Sequence, residues 1–227
     1  MAFLLSLMSI VGGLGLLGVA APFSGNLPDG KKQGGGAIRI LFLGDSLTWR
    51  FDWARALPAY DVRNFGIDGD TTDGVLQRLS AVIAENPDVV FLQIGINDYL
   101  GMEDWTGESP PDREKIAQLI ARNHQTAWRR LRKALPQLRL YVCSLLPTAF
   151  PFDADGRINE GIREINARLE KAAIEENLPY IRLYPRLADA GGRLAADFDR
   201  DGVHLLPTAY TVWLDSIRPF LDSFSRP

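Results

Sequence analysis

Four short stretches of the chain carry residue types that can do chemistry together. "GDSL" (44–47) sets Asp45 and Ser46 directly behind an apolar run, and "GIDGDTT" (66–72) carries Gly66, Gly69 and Asp70. "GIND" (95–98) supplies Asn97, and "DGVH" (201–204) sets Asp201 three residues before His204. A serine hydroxyl is a poor nucleophile until a base takes its proton, and imidazole is the usual base near neutral pH. A carboxylate three residues earlier in a tight turn can fix the tautomer of that imidazole. The tetrahedral intermediate of acyl transfer carries an oxyanion. Backbone N–H groups at Ser46 and Gly69 and the side-chain amide of Asn97 would give it three donors. Loss of one such donor typically costs about 10² to 10³ in rate. These types fit acyl-ester hydrolysis.

Taken singly, each residue has a plainer explanation. Ser46 alone could cap the helix that follows it, Gly69 could serve only a turn, and Asn97 could bond its own backbone. Asp45 reads as a structural acid that holds the turn around Ser46. His124, the other of the two histidines, lies among Arg and Gln in a helical stretch and reads as a surface residue. The lone cysteine, Cys143, sits in the apolar run "LRLYVCSLL" and reads as a small core residue. One cysteine forms no internal disulfide, and two histidines make a Cys/His zinc site a poor fit.

Elements of alternating type must bring the four stretches to one place. Residues 37–43, 61–65, 88–94, 138–146 and 180–184 are short and rich in β-formers, and three of them are nearly continuous apolar runs, as expected of strands covered on both faces. Helical patterns lie between and after them, at 71–85, 111–135, 158–176 and 207–224. Five strands alternating with helices predict a parallel sheet flanked by helices. In such a sheet ligands bind at the carboxyl ends of the strands, which is where the four stretches fall.

The chain has 227 residues, 46% of them hydrophobic and 23% charged, enough for one globular domain with a sizeable core. A formal charge of −3 carries no basic excess, so no nucleic-acid partner is expected. The stretch 1–24 has no charged side chain, and as a helix rising about 1.5 Å per residue it could cross a bilayer core of about 30 Å. It reads as a signal or membrane-anchor segment, joined by a Gly-rich linker (25–36) to a domain over 37–227. The expected location is secreted, periplasmic or membrane-anchored. "GLGLLG" (13–18) spells a dinucleotide fingerprint but lies inside this apolar run, without the strand and helix that motif requires. "DFDRDG" (197–202) opens like a calcium loop, yet Thr208 stands where the bidentate Glu is needed. Neither a metal nor a cofactor is expected.

"GDSLT", "NFGIDGDTT", "GIND" and "DGVH", in this order and spacing, resemble the four motif blocks of the SGNH, or GDSL-type, esterase and lipase family. The resemblance covers residues 37 to the C-terminus. It implies a three-layer flavodoxin-like α/β fold and metal-free hydrolysis of acyl esters or thioesters. By the same resemblance Ser46 is the nucleophile, Asp201 and His204 complete the triad, and Ser46, Gly69 and Asn97 form the oxyanion hole. The chain departs from the family pattern where Asp68 replaces a serine and where the bulky Trp49 follows the nucleophile. "GDSLT" also lacks the second glycine of the G-x-S-x-G elbow, which argues against an α/β-hydrolase. Trp49, with Trp105 and Phe150 from two long rim loops, is expected to line the substrate groove. The expected partner is a small acyl ester, a lipid or an acylated saccharide. Acyl transfer on envelope polysaccharide and non-catalytic acyl or sugar binding use the same residues and remain as alternatives.

Overall fold

The computed structural model describes residues 36–101, 112–151, 153 and 156–222. The anchor-like stretch 1–24, most of the linker, and Trp105 lie outside the described residues. The expected sheet forms. β1 (Arg39–Gly44), β2 (Asp61–Gly66), β3 (Val89–Gln93), β4 (Arg139–Cys143) and β5 (Tyr180–Ile181) make one parallel sheet in the order β2-β1-β3-β4-β5. The longer helices are α3 (Thr72–Ala84), α5 (Arg113–Ala134), α6 (Arg157–Glu175) and α8 (Pro207–Asp222). Short helices α1 (Ser46–Trp49), α2 (Trp53–Ala56), α4 (Ile96–Leu100) and α7 (Tyr184–Leu187) fill the connections. β4 and β5 end sooner than their β-rich sequences predict. Ser144 Oγ accepts hydrogen bonds from Leu183 N and Tyr184 N, so a side chain takes the backbone donors that a longer ladder would use. Among the described residues no helix is long and apolar enough to cross a membrane.

The described chain divides into two compact units, 36–143 with 164–180, and 144–163 with 181–222. In the first, side-chain alternation splits the sheet residues into two cores. Leu41, Leu43, Val90, Leu92, Leu140 and Val142 pack with Val75, Leu79 and Val82 of α3 and Ala127, Trp128 and Leu131 of α5. The alternate residues Phe42, Phe91 and Tyr141 stand in register on three neighbouring strands and stack at 5.3 and 5.0 Å, and Trp53 stacks on Phe42 at 3.9 Å. Burying each such side chain stabilises the fold by about 1.5–3 kcal/mol. Double-sided burial is why these strands read as unbroken apolar runs. Cys143 is fully buried, as expected.

His124 corrects the sequence reading. It is 1% exposed, donates from Nε2 to Ile94 O at 3.0 Å and meets Trp128 edge-on. The reason is helical spacing: Ala117, Ile120, His124, Ala127 and Leu131 fall on one stripe of α5, and that stripe is buried. Burial drives its pKa down to about 4, only partly opposed by the bond to Ile94 O.

In the second unit, Ala209, Tyr210, Trp213, Ile217 and Leu221 form the buried face of α8. Phe150, expected to line a groove, has no exposed surface, so its ring belongs to packing. The buried Asn159 pairs with Thr148 as a strand neighbour would, accepting from Thr148 N at 3.0 Å and donating to Thr148 O at 3.1 Å.

Candidate active site

The end of β1 is built around close contacts. A Cβ on Gly44 would lie 2.2 Å from Gln93 O and 2.3 Å from Thr48 Oγ1, so only glycine lets α1 fold back against the sheet here. The cap of α1 is Asp45, whose Oδ1 accepts from Leu47 N at 2.9 Å. Ser46 is therefore the first helical residue rather than the cap, and its hydroxyl is not needed to start the helix. Asp45 is completely buried. Burial pushes its carboxyl up to about 7 against the Leu47 hydrogen bond, with the charges of Asp70 and Asp98 adding to the rise. Asn64, in the second half of β2, fastens α1 from the side. Its amide nitrogen lies 3.1–3.2 Å from the carbonyls of Thr48, Trp49 and Phe51, while its Oδ1 accepts from Gly66 N at 2.9 Å.

The loop after β2 uses two glycines for different reasons. A Cβ on Gly66 would sit 2.2 Å from Trp49 N, so Gly66 is fixed by space. A Cβ on Gly69 would meet nothing within 4 Å, but its φ of 74° is the left-handed conformation that glycine adopts without strain. It is the third residue of a turn closed by Asp70 N donating to Ile67 O at 3.1 Å. Asp68, which stands where the family often has serine, is 52% exposed and pairs with Arg50, so its charge is held at the surface.

Asn97 sits in the first turn of α4, after β3. Its Nδ2 donates to Asp70 O at 2.8 Å. An amide nitrogen carries two hydrogens, so this bond pins the side chain and uses one of them. Next to it, Asp98 accepts from Thr72 N at 2.9 Å and from Thr72 Oγ1 at 2.5 Å, tying α4 to the start of α3. Burial raises the Asp98 carboxyl in spite of those bonds. Gly44 pairs in register with Gly66 on one side and Gln93 on the other, so Ser46, Gly69 and Asn97 follow the carboxyl ends of three adjacent strands.

In the second unit the "DGVH" turn is set by its own hydrogen bonds. Asp201 Oδ1 accepts from His204 N at 2.9 Å, and His204 Nδ1 donates to the carboxylate, 3.0 Å from Oδ1 and 2.9 Å from Oδ2. Burial alone would raise the Asp201 carboxyl, but the His204 backbone and ring bonds together hold it below the ordinary range. Gly202 adopts a φ of 95°, Ala149 N donates to Gly202 O, and Arg200 N donates to His204 O at 3.0 Å. Because Asn159 fixes Thr148, the segment leading to Ala149 is itself rigidly held.

The structure thus gathers Ser46, Gly69 and Asn97 in one unit and joins Asp201 to His204 in the other. Trp49 is 54% exposed one helical turn after Ser46. Sequence reasoning passed over Asn64, Arg78 and the Thr72–Asp98 pair. Arg78 had a readable signal, since it lies three residues from Val75 and four from Val82 on the inward side of α3.

The sequence model of the GDSL-like lipase/acylhydrolase family matches residues 42–212. The platelet-activating factor acetylhydrolase IB subunit alpha2 of Homo sapiens and of Bos taurus are each 29% identical over 164 residues. The match covers 70% of this chain and 62% of those proteins' length. A GDSL-like lipase from Bacteroides thetaiotaomicron superimposes with a TM-score of 0.64 at 25% identity, over 82% of this chain and 88% of that one. The lipase/acylhydrolase of Enterococcus faecalis, at 20% identity, shares the fold with a TM-score of 0.64, over 82% of this chain and 96% of that one. The chain belongs to the GDSL-like lipase/acylhydrolase family.

Proposed function

We propose that this GDSL-like acylhydrolase is a serine esterase that cleaves carboxylic esters through an acyl-enzyme. Ser46 Oγ attacks the ester carbonyl as His204 removes its proton. Asp201 holds the Nδ1 hydrogen, which leaves Nε2 as the basic nitrogen. The oxyanion is met by Ser46 N–H, Gly69 N–H and the second amide hydrogen of Asn97. As the ester C–O bond breaks, His204 returns the proton to the departing alcohol. Water then adds to the acyl-enzyme by the same route and releases the acid. The observation that carries this reading is the His204 Nδ1 bond to both oxygens of a carboxylate three residues away, at 3.0 and 2.9 Å. The name of the acetylhydrolase relatives favours short acyl groups, and the exposed Trp49 ring would flank the acyl side of the cleft. The apolar segment 1–24 would direct the enzyme to a membrane or beyond it.

The test is hydrolysis of p-nitrophenyl esters from acetate to long acyl chains by the full chain, with chelator present, against Ser46→Ala. The expected result is turnover that survives the chelator and falls at least about 10⁴-fold in the variant. Turnover retained by Ser46→Ala would overturn the assignment.

A further inference from the structure

We infer that Arg78 is a positioning residue for the oxyanion hole, acting through Asp70 on Asn97. The inference rests on the serine-esterase reading of the site. Arg78 is 17% exposed and uses all three guanidinium nitrogens. Nε donates to Asp70 Oδ2 at 2.8 Å, and Nη2 donates to the same oxygen at 2.6 Å and to Gly44 O at 3.0 Å. Nη1 donates to Phe65 O at 2.8 Å. One planar group thus joins the last carbonyl of β1, the carbonyl near the end of β2, and the acid that closes the Gly69 turn.

Asp70 passes that constraint on. Its Oδ1 accepts from Thr71 N at 2.9 Å, its N–H closes the turn on Ile67 O, and its backbone O accepts the Asn97 amide at 2.8 Å. The direction of the remaining Asn97 hydrogen therefore depends on where Asp70 O sits, and Arg78 fixes Asp70. Gly74 keeps the space open: a Cβ there would lie 1.9 Å from Asp70 Oδ1. Lysine cannot reproduce this arrangement, because a single ammonium lacks the planar fork that reaches an acid and two carbonyls together. Misplacing a reacting group by about 1 Å costs up to about 10²-fold in rate.

The experiment is the kinetics of Arg78→Lys, alone and combined with Asn97→Ala, on the best p-nitrophenyl ester, with Ser46→Ala in parallel. Arg78→Lys should lower kcat about 10- to 100-fold with KM within about twofold, and should cost under about threefold once Asn97 is already Ala. Equal losses in both backgrounds, or kcat within twofold of wild type, would overturn the inference while a dead Ser46→Ala kept the esterase reading intact. Activity surviving in Ser46→Ala would remove both. The Asn97 side-chain amide resonances give a readout without substrate. They should shift in Arg78→Lys, and if they stay unchanged Arg78 does not orient Asn97.

Discussion

The two histidines of this chain have been given opposite environments. His204 is 23% exposed at its side chain and turns Nδ1 to a carboxylate. His124 is buried on the apolar stripe of α5, gives one hydrogen bond to a backbone carbonyl, and has no carboxylate beside it among the described residues. A carboxylate partner lets an imidazole take up a proton during a reaction, because the resulting cation is paired. Burial without one makes the cation costly, so His124 stays neutral until about pH 4. The same side chain is thus paired with a carboxylate in one place, as the proposed mechanism requires, and reduced to a polar core residue in the other.

The largest effect separates their roles by activity. His204→Ala should lower kcat/KM by at least about 10⁴-fold while changing stability by less than about 1 kcal/mol, since the side chain is partly exposed. His124→Leu should leave kcat within about threefold. Both are read from initial rates and denaturant unfolding of the same preparations. If His124→Leu abolished activity in a fully folded protein, the contrast would break.

How far this contrast could be read beforehand depends on what each residue's partners are. The DGVH turn is legible because Asp201 and His204 are three residues apart, so their pairing is local chemistry. Strands covered on both faces announce themselves as apolar runs, which made the sheet predictable. His124 was readable too, at i+4 from Ile120 and i−4 from Trp128, but its neighbours Arg122 and Gln125 suggested a surface. There the spacing of the helix outranked the polarity of adjacent residues. Arg78 is harder, because its four bonds end on Gly44 O, Phe65 O and a carboxylate eight residues back. Backbone partners on other strands leave no mark on composition. Phe150 was misread for the reverse reason: its loop position suggested a ligand, and tertiary packing enclosed it.

Asp45 extends the comparison to acids, with the opposite sign. Its folded pKa of about 7 lies above its ordinary value of 3.8, so between those limits the folded chain holds a proton that the unfolded chain has released. Stability linked to this group is therefore present at acid pH and lost as pH rises toward 7, by up to about 4 kcal/mol. Asp45→Asn removes the ionisation and keeps an oxygen for Leu47 N. Relative to wild type, the variant should gain on the order of 3 kcal/mol between pH 5 and pH 8. Urea unfolding at the two pH values checks this, and a constant difference would mean that Asp45 is ionised in the folded protein throughout.

His124 supplies the smaller and mirror-image effect. Its folded pKa lies below its ordinary value of 6.5, so as pH falls from 6.5 toward 4 the unfolded chain takes up a proton that the folded chain refuses. Stability from this group is full above pH 6.5 and is lost on acidification, by up to about 3 kcal/mol near pH 4. His124→Leu leaves Ile94 O without its donor, which costs about 1 kcal/mol at pH 7. At pH 5 the wild type has lost about 2 kcal/mol that the variant keeps, so their order reverses and the variant becomes the more stable by about 1 kcal/mol. Asp45 contributes equally to both proteins, so the difference between their urea midpoints isolates His124. An unchanged gap from pH 7 to pH 5 would mean that the buried ring titrates like an exposed one.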